Sequence, residues 1–173
     1  MIDPKQHSEN RGILESMLRY IPGFRGYLEK DYRQESDYLV RKSMADRLQR
    51  SKQALDDFAL QLINAGRLDR LIDGERAKTR LDRLILKMRA AVRGYSGFFD
   101  YVRVDLALLD RVYEHDMAMV RDVEALATAI EQLAAKPDPA EASITDILQR
   151  IDAVERQFEQ RGELLNGIGT SSP

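Results

Sequence analysis

The sequence predicts an all-α protein: an up-and-down four-helix bundle with a long, partly extended second helix and an N-terminal amphipathic helix. Three observations lead there. Apolar residues recur at intervals of three and four over long stretches, and no run alternates long enough to support a sheet. Glycine and proline punctuate these stretches at a few places only. Hydrophobic residues make up 43% and charged residues 32%, a balance that builds a core rather than a disordered chain.

The first helix is expected from about Ser8 to Tyr20. Ile13, Leu14, Met17, Leu18 and Ile21 fall on one stripe, and Pro22-Gly23 stops it. The second runs from about Gly26 to Ala65, ended by Gly66. Its apolar stripe changes phase, from Leu28, Tyr32 and Leu39 to Met44, Leu48, Leu55, Phe58 and Leu62. A helix with two successive faces touches two things: here the first helix and then the bundle. Residues 29–53 are charged enough that much of that half is expected to meet water. Asp73-Gly74 reads as a turn with Asp73 as a cap, so the third helix is expected from Glu75 to Val92 on a stripe of Leu81, Leu84, Ile85, Met88 and Val92. The fourth runs from Asp105, as N-cap, to Ala135. Its seam is Leu106, Leu109, Tyr113, Val120, Val123, Ala127, Ile130 and Ala134. Lys136-Pro137-Asp138-Pro139 breaks the chain, and Ser143-Ile144-Thr145-Asp146 opens the last helix in the manner of a capping box. That division gives an N-terminal arm (1–22), a bundle (23–166) with a linker near 136–142, and a disordered tail (167–173).

Four features bear on function. The segments Gly23-Phe24-Arg25-Gly26-Tyr27 and Gly94-Tyr95-Ser96-Gly97-Phe98 share one pattern of glycines and aromatics at helix junctions. Glycine permits close backbone approach, and the rings supply apolar area. Either the rings plug the end of the bundle, or the two turns meet there and form a pocket or docking knob. The interaction candidates are Ile21, Pro22, Gly23, Phe24, Gly26, Tyr27, Gly94, Tyr95, Gly97, Phe98 and Phe99. The second feature is Asp116, in mid-stripe between Tyr113 and Val120. A buried carboxylate must be paired, hydrogen-bonded or protonated. The plainer reading is a structural partner, an arginine or tyrosine on a facing helix. The sharper one is a binding or catalytic carboxylate working with Tyr113. Glu114, His115 and Asp116 point about 100° apart on a helix, so they do not converge on a metal. No metal site, cofactor or catalytic set is expected.

The third feature is a basic ridge, Arg76, Arg80, Arg83 and Lys87, spaced four, three and four. It is either a flank paired with a neighbouring helix or a strip for an acidic protein or anionic membrane. Residues 61–103 carry a balance of +5 and residues 104–173 one of −8. The plainer reading is a basic helix packed beside acidic ones, the sharper one a basic surface for an acidic partner or anionic lipid, and an overall charge of −2 argues against nucleic acid. The fourth feature is the amphipathic first helix, which either caps the core or inserts into a partner or membrane interface. With no cysteine and no apolar run long enough to span a membrane, the expected location is the cytoplasm, with attachment to the inner membrane face left open.

The segments Arg19-Tyr20-Ile21-Pro22-Gly23-Phe24-Arg25-Gly26-Tyr27, Gly94-Tyr95-Ser96-Gly97-Phe98-Phe99-Asp100 and Leu109-Asp110-Arg111-Val112-Tyr113-Glu114 together resemble an uncharacterised family of small bacterial helical proteins. The resemblance covers Arg19 to Leu126. That family has no established activity, so the resemblance assigns none. It implies proximity to stomatin/prohibitin-like membrane-scaffold proteins and zinc-ribbon proteins, and so a scaffold-associated role with a protein partner. The expected function is a non-enzymatic interaction module. The alternatives are a small-molecule-binding or enzymatic bundle using Asp116, and a peripheral membrane-surface protein.

Overall fold

The structure is a computed structural model that describes residues 12, 14–91, 106–135 and 143–166. Its helices are α1 (residues 14–20), α2 (Lys30–Asn64), α3 (Leu68–Ala90), α4 (Leu106–Ala135) and α5 (Ser143–Asn166), and no strand occurs among the described residues. Chain direction alternates from α2 to α5, as in an up-and-down bundle. Ion pairs and hydrogen bonds fix the neighbours. Lys52–Asp82 and Lys78–Asp56 join α2 to an antiparallel α3. Asp116–Arg161 and Asp122–Gln157 join α4 to an antiparallel α5. Arg47 reaches Glu124 and Glu131, and Gln61 the Ala134 carbonyl, so α2 also runs parallel beside α4. Arg80–Asp152 and Lys87–Glu155 place α3 parallel beside α5. Two helical hairpins therefore lie side by side, with α3 and α4 across a diagonal.

Along α2 the structure corrects the expected change of phase. Phe58, Leu55, Ser51, Leu48 and Met44 continue without a break into Arg41, Val40, Asp37 and Arg33, all buried. The inward stripe never turns; its N-terminal half is polar. Leu39 and Tyr32 instead face the preceding segment, where the Gly23 backbone lies against Leu39 and the Arg25 guanidinium stands 4.7 Å over the Tyr32 ring. The charged half of α2 is thus less wetted than its composition suggests.

The α2–α3 connection is also shorter than expected. Gly66 takes φ +69°, its N–H bonds to the Ile63 carbonyl, and the Arg67 N–H bonds to the Leu62 carbonyl at 2.8 Å. This is a Schellman stop, which needs a residue free of Cβ strain at Gly66. The third helix then starts at once, and Asp73-Gly74 lies inside it rather than forming a turn. Gly74 shares the buried face with Ala77, Leu81 and Leu84. A mid-helix glycine costs about 1 kcal/mol relative to alanine, less than the packing of that face contributes.

Met17 and Ile21 of the N-terminal segment belong to the core. Phe24 and Tyr27 follow them inward. The Phe24 ring stands edge-on to Tyr27 at 5.5 Å and to Tyr113 at 6.4 Å. Val92, the proposed cap Asp105, the linker near 136–142, the tail from 167 and the turn Gly94-Tyr95-Ser96-Gly97-Phe98-Phe99 lie outside the described residues.

Candidate functional site

Asp116 is fully buried, and it is the centre of a polar cluster rather than an isolated carboxylate. Arg161 of α5, also 0% exposed, approaches it side-on: Nε donates to Oδ1 at 2.6 Å and Nη2 to Oδ2 at 3.1 Å. The Tyr27 hydroxyl donates to Oδ2 at 2.5 Å and accepts from Arg161 Nη2 at 3.2 Å. The other face of the guanidinium meets Asp37 of α2, with Nη1 at 2.7 Å from Oδ1. Asp37 in turn accepts from Arg41 Nε at 2.9 Å, and Arg41 Nη1 donates to the Met88 carbonyl of α3. Two carboxylates and two guanidinium groups therefore alternate through the core and touch all four bundle helices.

The N-terminal turn is locked into this cluster by its backbone. The Tyr27 N–H donates to the Tyr113 hydroxyl at 2.5 Å, and Arg33 Nε donates to the Tyr27 carbonyl at 2.6 Å. Gly26 makes the approach feasible. Its φ is +84°, and a Cβ there would lie 2.5 Å from the Tyr113 hydroxyl oxygen. The glycine serves close packing as well as conformation.

The electrostatics follow from burial. Desolvation, reinforced by the Asp116 charge, raises the Tyr27 hydroxyl well above its ordinary pKa. Burial opposes the charge of Arg161, but Asp116, Tyr27 and Asp37 more than offset it and hold the group well above its usual value. Both Asp116 oxygens are occupied, and the carboxylate is out of contact with solvent. A general base must reach the proton that it abstracts. The Asp116 carboxylate, enclosed and bonded at both oxygens, instead joins the helices around it.

An open feature close by is a shallow depression of about 640 Å³ between α4 and α5, lined by Arg111, Glu114, His115, Gln160, Glu163 and Leu164. Asp116 is not part of it. Neither ring nitrogen of the half-buried His115 has a hydrogen-bond partner among the described residues. Burial depresses its pKa, against the nearby charge of Asp116. Among the described residues no group of His, Asp or Glu side chains is placed to hold a metal ion.

The remaining candidates divide. Ile21, Phe24, Gly26 and Tyr27 are buried, so the docking-knob reading of the first turn does not match their placement; Pro22 and Gly23 are exposed. The basic ridge is split by the α3–α5 seam. Arg80 pairs with Asp152, and Lys87 pairs with Glu155 and with Glu159, whereas Arg76 and Arg83 face outward. Sequence reasoning missed Asp37, Arg41 and Arg161. The same signal that marked Asp116 was present for each. Asp37 and Arg41 extend the Met44–Leu48 spacing backwards, and Arg161 stands between Phe158 and Leu165 on the last apolar stripe.

Comparison with known proteins adds no relative. No family model, curated protein or solved structure matches the chain. Among the described residues, no helix is long and apolar enough to cross a membrane.

Proposed function

We propose that the chain is a non-enzymatic helical interaction module that docks a protein partner through the outer surface of its α2–α3 hairpin. The supporting observation is a concentration of exposed apolar side chains at the closed end of that hairpin. Leu60 and Ile63 at the end of α2 are 58% and 50% exposed, and Leu68 and Ile72 at the start of α3 are 61% and 74% exposed. Large side chains grouped in this way mark a contact surface more often than a free one. The occupied, inaccessible Asp116 speaks against the enzymatic alternative. The scaffold-associated part of the reading, with a stomatin/prohibitin-like neighbour, rests on the resemblance of the Ile-Pro-Gly and Gly-Tyr-Ser-Gly segments.

The test is crosslinked affinity purification from the native cell with wild type and Leu68→Lys/Ile72→Lys. These side chains carry no core packing, so the variant is expected to keep its helical circular dichroism and melting temperature while losing the partner. Equal recovery of the partner by both proteins would remove the hairpin end as the docking site. Recovery by either of no specific partner, a second copy of the chain included, would remove the reading itself.

A further inference from the structure

The outward face of α3 has an internal symmetry. At about 100° per residue, Leu68, Ile72, Glu75, Thr79, Arg83 and Leu86 fall on one stripe, opposite the buried Ala77, Leu81, Leu84 and Met88. All six are exposed, Leu86 at 65%. Thr79 stands at the centre: Ile72 and Leu86 lie seven residues to either side of it, and Glu75 and Arg83 lie four to either side. Glu75 and Arg83 are too far apart along one helix to meet. Among the described residues neither has an ion-pair partner, unlike Arg80 and Lys87 on the flank.

We infer that this face binds a second copy of the chain, with the two α3 helices antiparallel about a twofold axis at Thr79. The inference rests on the interaction-module reading and specifies the occupant of the α3 part of that surface. In an isologous contact a residue at a given distance before the axis meets the residue at the same distance after it. Ile72 then packs against Leu86 of the second copy, and Glu75 meets Arg83 of the second copy. Each contact occurs twice. Toward an anionic membrane Glu75 offsets the attraction of Arg83, whereas a second copy uses both charges. A parallel arrangement would place Glu75 against Glu75 and Arg83 against Arg83, so the charges select the antiparallel one.

The full chain is measured by sedimentation equilibrium over a range of concentrations. Wild type is expected to show a reversible dimer. Glu75→Arg and Arg83→Glu each place like charges across the axis and should weaken it by about tenfold. The double variant Glu75→Arg/Arg83→Glu restores the pairing and should recover the wild-type constant, which a merely structural effect of either substitution would not do. Because the chain has no cysteine, Thr79→Cys supplies an independent probe. Mild oxidation should give a disulfide-linked dimer, while Arg121→Cys, exposed on α4, stays monomeric.

A monomer at every concentration, a dimer indifferent to both single variants, or a double variant that fails to recover overturns the inference. So does a monomer that binds phosphatidylserine vesicles through this face. If a monomeric chain still captures a partner that Leu68→Lys/Ile72→Lys loses, the interaction-module reading survives without the dimer. If it captures nothing, both fall.

Discussion

His115 and Asp116 are adjacent in sequence and have opposite fates. The Asp116 carboxylate finds a guanidinium and a hydroxyl; the His115 ring is half-buried beside the depression with neither nitrogen bonded among the described residues. Burial favours neutral imidazole, so the folded pKa lies below the ordinary 6.5. Asp116 raises it and Arg161 lowers it; Arg111, Glu114 and Glu163 line the same depression. The unfolded chain therefore binds this proton more tightly. The His115 contribution to stability is present above pH 6.5 and is lost as pH falls through the folded pKa. Urea unfolding of wild type and His115→Gln at about pH 8 and about pH 5 measures it. The variant should lose less stability on acidification than wild type. Equal losses would mean that His115 protonates freely in the folded state.

At the level of the element, α3 shows how tertiary packing overrides a local turn signal. Asp73-Gly74 favours a break, yet the helix continues through it because Gly74 shares its inward face with Ala77 and Leu81. A Cβ at Gly74 would meet nothing within 4 Å. Gly74→Ala should therefore raise stability by about 0.5–1 kcal/mol, read from urea midpoints, through lower backbone entropy in the unfolded chain. Gly66→Ala is the opposite case. Open space surrounds that site too, but φ is +69°, so the substitution should cost about 1 kcal/mol. Gains at both positions, or losses at both, would contradict this account of where the helix stops.

At the level of the molecule, one alternating chain of charges, Arg41–Asp37–Arg161–Asp116, ties α2, α4 and α5 together, Arg41 reaches α3 through the Met88 carbonyl, and Tyr27 joins the N-terminal segment to it. Removing one member leaves its partner charged and undercompensated in the core, whereas removing a pair does not. Asp116→Ala and Arg161→Met should each cost about 3–5 kcal/mol. The double variant should cost less than the sum, by about 0.5–3 kcal/mol. Additive losses in denaturant unfolding would show that the two residues act separately. The network joins α2 to α5 across the core through Asp37–Arg161, while Arg47–Glu124 and Lys87–Glu155 hold the parallel neighbours α2/α4 and α3/α5 in register. Apolar stripes alone slide more easily than charges that must meet.

The sequence by itself determined the helices, their order and the burial of Asp116, because apolar periodicity and glycine or proline stops are local properties of the chain. It also marked the ridge and the two turns. Tertiary structure alone decided how the ridge and the first turn are used. Which helices become neighbours decides that Arg80 and Lys87 serve the α5 seam while Arg83 faces outward. Burial takes Phe24 and Tyr27 inside, a fate that an aromatic beside glycine does not specify. The polar half of the α2 stripe was the least legible part. Arg33, Asp37 and Arg41 read as a wetted face until Arg161, the Met88 carbonyl and the Tyr27 carbonyl arrive from distant parts of the chain to satisfy them. A charge is stable inside a protein only where its partners are, and partners far apart in sequence are brought together only by folding.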